Sequence, residues 1–74
     1  MYLKFKMVKE SLGYIFVYRE YNIGTQKITV YKHYYLPNGE EGAELICEKE
    51  EKFAHSRRSF EKACSRIIRE DLKK

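Results

Sequence analysis

The chain has 74 residues, 43% hydrophobic and 35% charged, which suits one small domain over residues 1–74 and leaves no room for a separate cofactor domain. Its 15% aromatic content, including seven tyrosines, argues against disorder. No apolar run approaches the roughly 18 residues that span a bilayer, and Met1–Lys9 alternates lysine with apolar residues unlike a signal peptide. A soluble, cytoplasmic chain with no membrane partner is expected.

The net charge of +4 is segregated along the sequence. Residues 1–37 carry six Lys/Arg and two Glu, residues 38–54 two Lys and six Glu, and residues 55–74 seven Lys/Arg and three Asp/Glu. Two basic segments flank an acidic one. A basic segment attracts phosphate backbones, membrane headgroups or acidic proteins, and net charge alone does not choose among them.

Tyr2–Val8 alternates, with Leu3, Phe5 and Met7 on one face and Tyr2, Lys4 and Lys6 on the other. A turn at Ser11-Leu12-Gly13 leads into Tyr14–Tyr21, rich in aromatic and β-branched residues. Its faces are Tyr14/Phe16/Tyr18 and Ile15/Val17/Arg19/Tyr21, both apolar enough to be buried. Asn22-Ile23-Gly24-Thr25 supplies a second turn, with Gly24 free to take positive φ. The third strand, Gln26–Leu36, sets Ile28 and Val30 against Lys27, Thr29, Tyr31, His33 and Tyr35. Pro37-Asn38-Gly39 ends it in a tight turn. Ala43–Lys49 fits either a fourth strand or a helix start. A strand is favoured, because one helix from Gly39 to Leu72 would be about 50 Å long.

Phe60, Ala63, Cys64, Ile67, Ile68 and Leu72 recur at helical spacing, with Ser56 available as cap and Lys73-Lys74 at the negative end. That stripe needs a sheet face to cover. The expected fold is α+β: an antiparallel sheet of three or four strands packed on one face by a C-terminal α-helix. The buried sheet face takes Leu3, Phe5, Met7, Ile15, Val17, Ile28 and Val30 in this scheme. Tyr2, Lys4, Lys6, Tyr14, Phe16, Tyr18, Lys27, Tyr31, His33 and Tyr35 then stand on the open face.

Cys47 and Cys64 are too few for a disulfide framework and read as free, half-buried or buried thiols. With His33 and His55 they offer zinc-type side chains, but no pair stands at the few-residue spacing of structural sites. No metal, cofactor or catalytic residue is expected.

Aromatics interleaved with cations suit nucleic acid, offering faces for bases and charge for phosphates. The strand candidates are Lys4, Lys6, Tyr18, Arg19, Lys27, Tyr31, Lys32 and His33. On the helix they are Arg57, Arg58, Lys62, Arg66 and Arg69, the first two beside a helix N-terminus that favours anions. Gly13-Tyr14-Ile15-Phe16-Val17-Tyr18-Arg19, then Gly24-Thr25-Gln26-Lys27, then a helix containing Ala63, resemble the DNA-binding modules of phage-type integrases. That resemblance implies a three-stranded sheet that reads DNA, although the insertion between Leu36 and Phe53 departs from it. The expectation is a small non-catalytic nucleic-acid-binding or regulatory protein, of the kind phages and mobile elements encode. The alternative is a protein-interaction module, an inhibitor or adaptor, using the tyrosine-rich face or the acidic segment 40–51. A face holding Tyr14, Phe16, Tyr31 and Tyr35 also calls for a cover, and a homodimer is expected.

Overall fold

The structure is a computed structural model that describes residues 2–23, 26–51 and 56–72. Its elements are β1 (Leu3–Ser11), β2 (Tyr14–Tyr21), β3 (Gln26–Tyr35), β4 (Glu41–Glu50) and α1 (Arg57–Ile67), followed by a π-helical turn at Ile68–Leu72. The strands form one antiparallel sheet in the order β1-β2-β3-β4, and α1 packs across one face. The fold is α+β, as expected. Gly24, Thr25, Phe53, His55, Lys73 and Lys74, which the sequence singles out, lie outside the described residues.

Local chemistry sets the turns. Leu12 and Gly13 take φ of 55° and 81°, and Ser11 pairs with Tyr14 across them. Two positive-φ residues make the tight turn whose twist matches antiparallel strands. Glycine adopts that geometry freely, whereas leucine does so at a cost. At the third hairpin the Gly39 N–H donates to the Leu36 carbonyl at 2.9 Å, and Asn38 Oδ1 accepts from the Glu40 N–H at 3.0 Å. Gly39 follows at φ 88°. The chain therefore doubles back, and pairing from Tyr35↔Glu41 to Lys27↔Glu50 makes the ambiguous segment a strand.

Ser56 caps α1, its Oγ accepting from the Ser59 N–H at 3.1 Å. The helix runs obliquely over the sheet. At its start Arg57 donates to the Val8 carbonyl at 2.8 Å and Lys9 meets Glu61 at 3.1 Å. At its end Lys49 meets Asp71 at 3.1 Å. Between these points Phe60, Ala63, Cys64 and Ile67 pack on Phe16, Tyr18, Ile28 and Val30. The molecule is 18 Å thick in its thinnest dimension, about the depth of one helix on one sheet.

Two expectations are corrected. Phe16 and Tyr18, assigned to the open face, are fully buried under the helix. Ile15 and Val17 point the other way, Val17 being shielded by its central position. The reason is register. Tyr18 stands opposite Met7 and Ile28, and Phe16 opposite Val30. Directly opposed residues share a face. Leu3, expected in the core, is 44% exposed beyond a bulge between Leu3 and Phe5. Phe5 keeps its place at the margin, its ring edge-on to Tyr18 with centroids 6.2 Å apart.

Phe60 has no exposed surface and tilts against Tyr18 at 6.3 Å. Phe60→Ala should cost about 3–5 kcal/mol in urea unfolding; an unchanged midpoint would mean that the helix does not cover the sheet. Leu12 is 66% exposed and holds its left-handed φ without burying its side chain. Leu12→Asn should raise the midpoint, by about 1 kcal/mol at most, because asparagine tolerates that region better.

Candidate nucleic-acid interface

The thirteen candidate residues fall into three places. Five stand on the sheet face away from the helix: Lys6, Arg19, Lys27, Tyr31 and His33. The register aligns Lys6, Arg19 and Lys27 across three adjacent strands. Like charges directly opposite one another repel, and two of the three are drawn off by neighbours. Arg19 donates to Thr29 Oγ1 at 3.4 Å, and Lys27 lies 3.9 Å from Glu48. His33 packs edge-on against Tyr35 at 4.9 Å and sits 3.6 Å from Glu41. Tyr31 is half-buried between Ile15 and Leu45.

Three candidates lie on the helix side of the sheet. Lys4, at the bulge, pairs with Glu20 at 3.6 Å. Lys32 stands over the Tyr14 ring, 4.4 Å from its centroid. Tyr18 is buried and cannot stack on a base, so its assignment as a binding residue is withdrawn.

The remaining five are on α1 and the turn after it. Arg57 is occupied by the Val8 carbonyl and approaches Glu61 at 3.9 Å. Arg66 pairs with Glu51 and lies 4.0 Å from Glu70. Arg58, Lys62 and Arg69 are exposed and have no ion-pair partner among the described residues. Their spacing of four and seven residues, with Ser65 between, keeps them on one side of the helix. With Ser59, Arg66 and Glu51 they border one open concavity. The first turn of α1 contains no acidic residue and begins Arg57-Arg58. Cations there oppose the helix dipole instead of balancing it. Among the described residues, three cations without an ion pair therefore lie along the outer side of the helix.

The thiols belong to the core. Burial pushes Cys64 up to about 11 and raises Cys47 as well, so both stay protonated at neutral pH. Among the described residues, no group of three or more His, Cys, Asp and Glu side chains is placed to hold a metal ion.

The sequence missed one part of the surface. Val8, Ile15, Val17 and Leu45 line the middle of the open face, with Tyr31 among them. The second face of β2 signalled this, since Ile15 and Val17 alternate with Phe16 and Tyr18. The fourth strand widens the sheet beyond the three-stranded pattern of the integrase modules. The chain matches no protein-family model, and no curated protein or solved structure matches it.

Tyr18 gives this packing a pH signature. Burial first, then the hydrogen bond its hydroxyl donates to Glu20 Oε1 at 3.1 Å, pushes its phenol from 10 to about 12. Below about pH 10 the phenol is protonated in both folded and unfolded chains, and its contribution to stability is fully present. Between about 10 and 12 the unfolded chain releases the proton while the folded chain keeps it, so stability falls as pH rises. Urea midpoints should drop across that window and drop less in Tyr18→Phe. Equal slopes for the two proteins would show that the phenol is not held protonated by the core.

Proposed function

We propose that this chain is a small, non-catalytic nucleic-acid-binding protein of regulatory type that engages phosphates with the outer side of α1. Its partner is DNA or RNA. One observation carries this: Arg58, Lys62 and Arg69 stand exposed on one side of the helix without an acidic partner among the described residues. From Arg58 to Arg69 the stripe is about 16 Å long at 1.5 Å per residue. Over that length B-DNA carries about ten phosphate charges. Contacts of this kind are sequence-independent, release counterions and weaken steeply with salt. The sheet face supports the role less well, because Arg19 and Lys27 already have partners and Tyr18 is buried.

The two arginines at the helix start supply the test. Arg58 has no ion-pair partner to lose among the described residues, and a carboxylate in the first turn complements the helix dipole by about 0.3–1 kcal/mol. Arg58→Glu should therefore raise the urea midpoint while weakening nucleic-acid binding. Titrations against single- and double-stranded DNA and RNA at two salt concentrations provide the second readout. The slope of log K against log salt should fall by about 0.9 for the lost contact. Wild-type protein with no affinity tighter than about 10⁻⁴ M near physiological salt would overturn the proposal. So would an Arg58→Glu variant that binds as well as wild type.

A further inference from the structure

Arg58, Lys62, Ser65 and Arg69 are exposed along α1 and the turn after it, and all four border the same concavity. At 3.6 residues per turn the first three fall within about 60° of one another, opposite the buried Phe60, Ala63, Cys64 and Ile67. Ser65 stands about 4.5 Å along the axis from Lys62, between it and Arg69. The row is polar throughout. None of the described residues lining the concavity is aromatic. The exposed tyrosines Tyr2, Tyr34 and Tyr35 lie before β1 and at the end of β3, in the layer beneath the helix. Both flanks of the row hold carboxylates. Glu61 stands by Arg57 and Lys9 on one, and Glu51 and Glu70 stand by Arg66 on the other.

Given α1 as the phosphate-binding surface, on which this rests, we infer that the row takes double-stranded nucleic acid in preference to single strands. It lies across the phosphate backbone and uses Ser65 as a fourth contact. Single-strand sites combine charge with aromatic side chains on which successive bases stack. This row has the charge without the stacking platform. A duplex carries one negative charge per roughly 1.7 Å of axis. It also releases more counterion per contact, about 0.9 against about 0.7 for a single strand. Three cationic contacts then give salt slopes of about −2.7 on a duplex and about −2.1 on a single strand. For equal affinity at about 1 M salt, that difference makes the duplex about fourfold tighter at about 0.1 M.

The flanking carboxylates set the depth of contact. A helix about 10–12 Å across fills the roughly 12 Å major groove of B-DNA. Glu61 and Glu70 would there face the phosphate walls, with their arginines already engaged. Like charges so placed oppose insertion. Contact is left to the crest, where the Ser65 hydroxyl can donate to a phosphate oxygen between Lys62 and Arg69. A lipid surface is a poorer match, because the row offers no apolar side chain to bury in it.

Fluorescence anisotropy of labelled probes with the full chain, from about 50 to 200 mM salt, tests this. The probes are a mixed-sequence DNA duplex, an RNA duplex of the same sequence and oligothymidine of the same length. The two duplexes share the paired backbone, and comparing them tells which supplies it. Wild type should bind at least one duplex about fourfold more tightly than oligothymidine at about 0.1 M, with the steeper slope. Ser65→Lys puts a fourth charge in the row. It should steepen the duplex slope by about 0.9, an affinity gain of about eightfold at about 0.1 M. Leu45→Lys adds the same charge to the sheet face away from the helix, at a residue 58% exposed, and should leave the slope unchanged. Circular dichroism and thermal melting check that both variants are folded. Oligothymidine bound as tightly as the duplexes overturns the duplex preference while leaving the helix as a phosphate site. A Ser65→Lys gain no larger than the Leu45→Lys gain overturns the placement on the row. Absence of affinity for every probe overturns both the duplex preference and the reading of α1 beneath it. Vesicles rich in anionic lipid are the last arm. Binding to them without affinity for either duplex would give the row to a membrane surface and overturn the proposal.

Discussion

The contact between Phe60 and Tyr18, with ring centroids 6.3 Å apart, decides which face of β2 the helix covers and therefore what every other surface presents. Both faces of β2 are apolar. The face that wins buries Phe16 and Tyr18, and aromatic side chains bring about 150–250 Å² each into a core. The losing face would carry Arg19 beneath the helix, where an unpaired charge costs far more than a buried methyl group gains. On the winning side the polar end of the strand is Glu20, which accepts the Tyr18 hydroxyl at the margin. Size and charge point the same way. A slip of one residue would exchange Phe16 and Tyr18 for Ile15 and Val17 and turn the surface inside out.

That choice was partly legible in the sequence. The helix stripe Phe60-Ala63-Cys64-Ile67, the Ser56 cap and the Ile28/Val30 face of β3 follow from spacing alone, and all are present. The face of β2 does not follow from its own alternation. It follows from loop length. A two-residue turn at Leu12-Gly13 pairs Ser11 with Tyr14, so odd residues of β1 share a face with even residues of β2. Met7 in the core then requires Tyr18 there as well. The β2–β3 connection is longer, and its register, Glu20↔Gln26, is set by packing. For the site, residue type identified the cations, but partnership was invisible. Arg57, Arg66 and Lys62 look alike in sequence. The fold gives the first two a carbonyl or carboxylate and gives the third no ion pair among the described residues.

An open sheet has two edges, and each is managed differently. At β1 the Arg57 guanidinium donates to the outward Val8 carbonyl, so the start of the helix closes the middle of that edge. At β4 the protection is charge: Glu41, Glu44, Glu48 and Glu50 line the last strand, and strand addition there would stack carboxylates against the incoming chain. Edge-to-edge polymerisation is thus discouraged at both sides.

The acidic middle of the sequence explains where the positive charge ends up. Folded as β4 and the residue after it, that segment brings Glu48 to Lys27, Glu41 to His33 and Glu51 to Arg66, while Lys49 reaches Asp71. These contacts bind the last strand to β3 on one side and to the far end of the helix on the other. Glu20 and Glu61 take up Lys4 and Lys9 on β1. Among the described residues none of these carboxylates forms an ion pair with Arg58, Lys62 or Arg69, although Glu51 and Glu61 border the same concavity. The same burial that turns Phe60, Ala63, Cys64 and Ile67 inward turns the basic stripe outward. A chain whose charges nearly balance along the strands therefore shows, among the described residues, a ridge of three cations without ion pairs along one side of its helix. A polyanion approaching from the helix side meets that ridge before it meets the sheet.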